Sequence, residues 1–137
     1  ISKTMYSEVI RINKSNQKQA YFILYDEVKI PLGINIFDKI LTINTIYFWN
    51  NSRLFLKEIY RVLKLVSKLV IASADKKFML GLLFVNHRLK LYSKEILTEL
   101  FVNSTFVCID FTEKRDSGLS KSGELVNRIY LVAELFK

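Results

Sequence analysis

The spacing of apolar and polar positions divides the chain into segments of helical period and segments of strand period. Met5, Val9 and Ile12 recur at helical intervals, Tyr6 and Ile10 widen the stripe, and Ser2 stands where a cap is needed, which predicts a first helix ending near residues 13–16. Residues 20–25 are an unbroken apolar and aromatic run closed by Asp26 and Glu27, the pattern of a buried strand. Ile30, Pro31, Leu32 and Gly33 are turn material. A second strand is predicted over 37–43, running to Asn44. Ser52 then caps a helix whose Leu54, Phe55, Ile59, Val62 and Leu63 share one face, with Lys57, Glu58 and Arg61 outward. Residues 68–72 read as a third strand.

Strand, helix, strand in this order predicts βαβ units and an α/β sheet, because parallel strands need such crossovers. Residues 76–91 mix apolar side chains with His87, Arg88 and Lys90 and read only as an amphipathic excursion. Ser93 caps a helix over 94–102, with Glu95 in the first turn where it complements the dipole. Residues 106–112 and 128–136 alternate like two strands, and 113–127, with two glycines, is expected to be a long hairpin connection.

Composition narrows the class. A chain of 137 residues is one domain by length, and with 50% hydrophobic and 13% aromatic residues it is neither a disordered tail nor a collagen-like fibre. Lys or Arg interrupts every apolar stretch, so no membrane span is expected. Cys108 stands alone, which excludes an internal disulfide, and one Cys with one His supplies too few soft ligands for structural zinc, so no metal is expected. The reducing cytoplasm is the expected compartment. The net charge of +8 permits phosphate partners. The lysines are scattered and no nucleic-acid-binding motif spacing is present, so a solvated basic surface is the preferred reading.

Candidate chemistry is sparse. His87 has no neighbouring nucleophile, and Cys108, placed mid-strand, is expected to be buried and inert. Asp26 and Glu27 are the adjacent acidic pair, at a carboxyl strand end where open α/β sheets place ligands; capping a turn is an equally open role for them. Residues 44–50 (NTIYFWN) follow the second strand and offer an amide, a hydroxyl and three rings. Such rings suit flat ligands and cations, sulfonium centres included. They serve equally to staple the loop onto the next helix, and both readings stand.

Ile30-Pro31, Phe37-Asp38-Lys39-Ile40, Asn44-Thr45-Ile46-Tyr47-Phe48-Trp49, Glu58-Ile59-Tyr60-Arg61-Val62-Leu63-Lys64 and Lys68-Leu69-Val70-Ile71 together resemble class I S-adenosylmethionine-dependent methyltransferases, in particular small-molecule enzymes with one Rossmann-like domain. The resemblance is specific over 37–71 and looser elsewhere. It implies a Rossmann-like α/β sheet with a carboxy-terminal antiparallel hairpin, S-adenosylmethionine as cofactor and a small molecule as methyl acceptor. Asp26 matches the acidic residue that contacts the adenine amino group. Asn44 matches the start of the loop flanking donor and acceptor, and Tyr47 and Trp49 fall where that loop lines the substrate pocket. No catalytic base is implied.

Two departures qualify the resemblance. The family holds its cofactor with a glycine-rich loop after the first strand, yet this sequence has no G-x-G, and none of Gly33, Gly81, Gly118 and Gly123 opens a helix after an apolar strand. The match begins just after the family's ribose-binding acid, so the sheet is expected to be incomplete, its first two strands missing. Either 20–25 then pairs beside 38–43, or an apolar edge remains open to a missing amino-terminal segment or to self-association. Leu65-Val66-Ser67 replaces the family's Pro-Gly-Gly; a positive φ there costs on the order of 1 kcal/mol and exposes apolar surface. The expectation is a methyltransferase-family chain that is truncated or inactive on its own, with a non-catalytic interaction or nucleic-acid-binding module as the alternative.

Overall fold

The computed structural model describes residues 3–15, 20–25, 28–82, 89–119, 123 and 125–137, without the side chains of residues 15, 108 and 119. The chain forms two compact units, Ile1–Pro31 and Leu32–Lys137.

In the first unit, α1 (Lys3–Ser15) has the expected helical stripe, of which Tyr6, Val9 and Ile10 are half-buried while Met5 is exposed. Arg11 forms a forked pair with Glu8 at 2.6 and 2.9 Å. The strand expected at 20–25 does not form, and Tyr21 is 95% exposed. An apolar run becomes a strand only through a ladder partner, and none of the described strands pairs with it. Asn13 Nδ2 instead donates to the Ala20 carbonyl at 2.8 Å.

The second unit contains β1 (Phe37–Ile43), a 3-10 turn (Ile46–Phe48), α2 (Ser52–Val62), β2 (Leu63–Ala74), α3 (Lys76–Leu80), α4 (Lys94–Val102), β3 (Cys108–Leu119) and β4 (Leu125–Phe136). The sheet runs β1-β2-β4-β3. β1 and β2 are parallel and joined through α2, while β4 is antiparallel to both β2 and β3. This is the expected α/β architecture with its carboxy-terminal antiparallel hairpin.

The hairpin is longer than its hydrophobic pattern indicates. Residues 113–119 and 125–127, expected in the connection, continue the ladder. Polar cross-strand pairs carry it there: Arg128 grips Asp116 at 2.9 and 3.1 Å, and Ser117 donates to Asn127 Oδ1 at 2.7 Å. Gly118 lies beneath that pair, and a Cβ there, 2.4 Å from Arg128 Nη2, would make the end of the arginine side chain shift.

Asn51 rather than Ser52 caps α2, accepting the Leu54 N–H at 3.1 Å. Ser52 sits one position inside the helix, and its buried hydroxyl bonds the Tyr92 hydroxyl at 2.7 Å. Ser93 caps α4 as expected. The core lies on one sheet face, where Leu69 and Ile71 of β2 and Leu131, Ala133 and Leu135 of β4 are buried together with Leu56, Ile59 and Val62 of α2 and Leu97, Leu100 and Phe101 of α4. Tyr60 meets Phe106 edge-on at 5.3 Å, and Phe101 packs on Phe111 at 6.0 Å.

β2 follows α2 without a spacer and bulges before settling into register: Phe37 pairs with Leu63, but Lys39 pairs with Lys68. Val66 occupies the bulge at φ 58° and is 96% exposed, with Leu65 exposed beside it. Ser67 Oγ donates into the bulge, to the Lys64 carbonyl at 2.6 Å. The far edge of β1 pairs with no strand among the described residues, and Leu41 and Ile43 are exposed on that strand. The pairing of 20–25 beside β1, one of the two expected arrangements, is not present among the described strands.

Val66 is a β-branched residue held in a region that favours glycine. Val66→Gly is expected to raise the urea midpoint, corresponding to about 1 kcal/mol, and Val66→Ala to leave it near the parent value.

Candidate active site

Because β1 and β2 run parallel, their carboxyl ends reach the same rim, and the site is built there. Asn44 ends β1 at φ 52°, a left-handed conformation that asparagine tolerates. Its N–H extends the ladder to the Ala72 carbonyl at 2.8 Å. Its Oδ1 accepts the Ala74 N–H at 3.2 Å and the Tyr47 hydroxyl at 3.1 Å. The same hydroxyl also accepts from the Ala74 N–H and lies 3.1 Å from the Ala74 carbonyl as an alternative acceptor. Asn44 and Tyr47 thus tie the loop after β1 to the last residue of β2. The hydroxyls of Thr42 and Thr45 bond to each other behind this turn.

Tyr47 is buried, and that burial pushes its phenol above the ordinary value of 10.0; the nearby Asp75 charge acts in the same direction, against the lowering hydrogen bond at Ala74. The phenol therefore remains a proton donor at neutral pH. Phe48 is exposed beside it, edge-on to the Tyr47 ring at 6.3 Å. Trp49 points elsewhere: its buried indole packs on Phe55 of α2 with centroids 4.8 Å apart, which staples the loop to the helix.

A cavity of about 480 Å³ opens at this rim. Asn44, Tyr47 and Phe48 line it from the loop after β1, Ala74, Phe78 and Met79 from the end of β2 and α3, and Tyr130 from β4, with Leu82 and Leu89 completing the wall. Tyr130 is present because it pairs with Ala74 across the β2–β4 ladder. Arg128 lies over the Tyr130 ring at 6.0 Å, its guanidinium held by Asp116. No charged side chain lines the cavity among the described residues.

Of the residues singled out from the sequence, Asn44 and Tyr47 come together at this cavity and Trp49 does not line it. Asp26 and His87 lie outside the described residues. Cys108 opens β3 rather than lying mid-strand. Phe78, Met79 and Tyr130 were not legible as site residues. Phe78 and Met79 belong to a segment without a clear period, and Tyr130 reaches the rim only through a register that no sequence pattern prints. Among the described residues no cluster of His, Cys, Asp and Glu could hold a metal, and no helix is long and apolar enough to cross a membrane.

Tyr47→Phe removes the hydroxyl that bridges the two strand ends and is expected to cost about 1 kcal/mol in denaturant unfolding. A phenol raised in the folded state contributes its stability fully below the unfolded pKa, and that contribution is lost as pH rises through the folded one. The parent should therefore lose stability above about pH 10, and Tyr47→Phe should lose less over the same window.

A family model described as a methyltransferase domain matches residues 1–71. An S-adenosylmethionine-dependent methyltransferase of Thermotoga maritima, named as a possible histamine N-methyltransferase, is 21% identical, aligns over 91% of this chain and 68% of its own, and superposes with a TM-score of 0.64. An S-adenosylmethionine-dependent methyltransferase of Aquifex aeolicus is 19% identical over 93% of this chain and 61% of its own, with a TM-score of 0.62. A protein of Pyrococcus horikoshii OT3 is 19% identical over 100% of this chain and 69% of its own, with a TM-score of 0.70. The chain thus spans 61–69% of the length of these three. No curated protein matches it. With residues 1–71 of 137 matched and a Rossmann-like sheet shared with these structures, the chain belongs to the class I S-adenosylmethionine-dependent methyltransferase family.

Proposed function

We propose that the cavity at the ends of β1 and β2 is the methyl-acceptor side of a methyltransferase, taking a small molecule, and that this chain on its own binds S-adenosylmethionine weakly or not at all. The observations that support the proposal are a ligand-sized cavity on the carboxyl rim and a sequence with no G-x-G from which the family's donor-binding loop could be built. β1 passes into Asn44 and Thr45, and β2 passes through Asp75 directly into α3. The reaction depends largely on holding the acceptor in line with the donor's methyl group. In this reading Asn44 and Tyr47 shape the wall, Trp49 fixes the loop that carries them, and Asp26 is assigned to the adenine by its resemblance to the family residue. The lone Cys108 fits a reducing cytoplasm.

Calorimetric titration with S-adenosylmethionine is expected to give no binding tighter than millimolar. A micromolar dissociation constant overturns the donor half of the proposal.

The open edge of β1 supports a second reading as an interaction module, in which another copy of the chain adds its strand there. Light scattering should show an average mass that rises with concentration, and Leu41→Lys, a charge on the exposed strand, should suppress the rise. A monomer at every concentration excludes this reading.

A further inference from the structure

The segment that leads into α4 is fixed by individual bonds rather than by a ladder, since residues 89–92 belong to no helix or strand. Lys90 donates its N–H to the Tyr47 carbonyl at 3.3 Å, and its ammonium reaches the Asn50 carbonyl at 2.6 Å and the Trp49 carbonyl at 3.4 Å. Two residues on, the buried Tyr92 hydroxyl bonds Ser52 at the start of α2, and the Tyr92 carbonyl accepts the Lys76 N–H at 2.9 Å, at the start of α3. Charge-assisted bonds are the stronger kind, and here they hold a long, exposed side chain against the loop after β1. Leu89, next to Lys90 in the chain, lines the cavity, as do Tyr47 and Phe48 from the loop that Lys90 grips. Tyr47 is thereby held twice, through its phenol to Ala74 and through its carbonyl to Lys90.

We infer that residues 89–92 are a strap that sets the width of the cavity, with Lys90 as its positioning residue. Lys90 acts through its neighbour Leu89 and through Tyr47, whose separation follows from where it holds the two backbones. This rests on the reading of the cavity as the acceptor site, but not on donor binding. Without the ammonium the loop keeps its tie to β2 and loses most of its tie to the strap, so the walls no longer hold an acceptor in one orientation. Trp49 reports on the grip, because its carbonyl is one of the gripped groups and its indole is the only one in the sequence.

The test uses the full chain, without methyl donor, with its methionine methyl groups labelled with carbon-13. The probe is 1-naphthol, which suits the ring and thioether surface of Phe48, Phe78 and Met79. The Met79 resonance of the parent should shift on titration. Lys90→Met keeps the apolar stem and removes the charge; it should weaken the probe at least about threefold and open Trp49 to acrylamide quenching, both read where urea unfolding shows the chain folded. Lys90→Arg, which restores a cationic donor, should return both readings toward the parent. Tyr92→Phe frees the strap at its other pin and should weaken the probe in the same direction, so it decides the matter if Lys90→Met does not fold. Parental affinity in a folded Lys90→Met chain overturns the strap, even where the urea midpoint has dropped, and leaves the acceptor site standing. A parent Met79 resonance that 1-naphthol does not move overturns the acceptor reading, and the strap with it.

Discussion

β2 is hydrogen-bonded along both edges, and the placement of the rest of the larger unit follows from that double pairing. Its alternate residues Ser67, Leu69, Ile71 and Ser73 point into the core, so a slip of one position against either neighbour would turn the buried set to solvent. Burial thus fixes two registers at once, Ile40 beside Leu69 and Leu135 beside the same residue from the other side. The helices then cover the face that these registers have made apolar.

The site is a consequence of strand direction. Parallel β1 and β2 finish at the same rim, while β4 runs the opposite way and delivers Tyr130 to that rim from early in its length. The tie between Asn44, Tyr47 and Ala74 satisfies backbone groups that lie just past the last ladder bonds, where water would otherwise compete. A cavity with apolar walls is stable there because its polar floor is already internally bonded.

What the sequence made legible was local. The helices at 52–62 and 94–102 announce themselves through period and cap residues, although Asn51 takes the cap one position before the serine that the pattern favours. Residues 20–25 mislead because apolarity signals a need for a partner without supplying one. The outer half of the hairpin is hidden for the opposite reason: its ladder is held by Asp116, Arg128, Ser117 and Asn127, polar residues that read as loop. Val66 was legible as a strained position because the helix-to-strand turn lacks glycine. The three rings of 47–49 could not be apportioned in advance; packing sends Trp49 to α2 and leaves Phe48 at the cavity.

Gly118 links the remote tip of the sheet to the cavity wall. A side chain there would have to displace the end of Arg128, the cation that pairs with Asp116 and lies over the ring of Tyr130. The first group to feel an exchange at 118 is therefore a single arginine, whose partly exposed and flexible end can move aside at low cost.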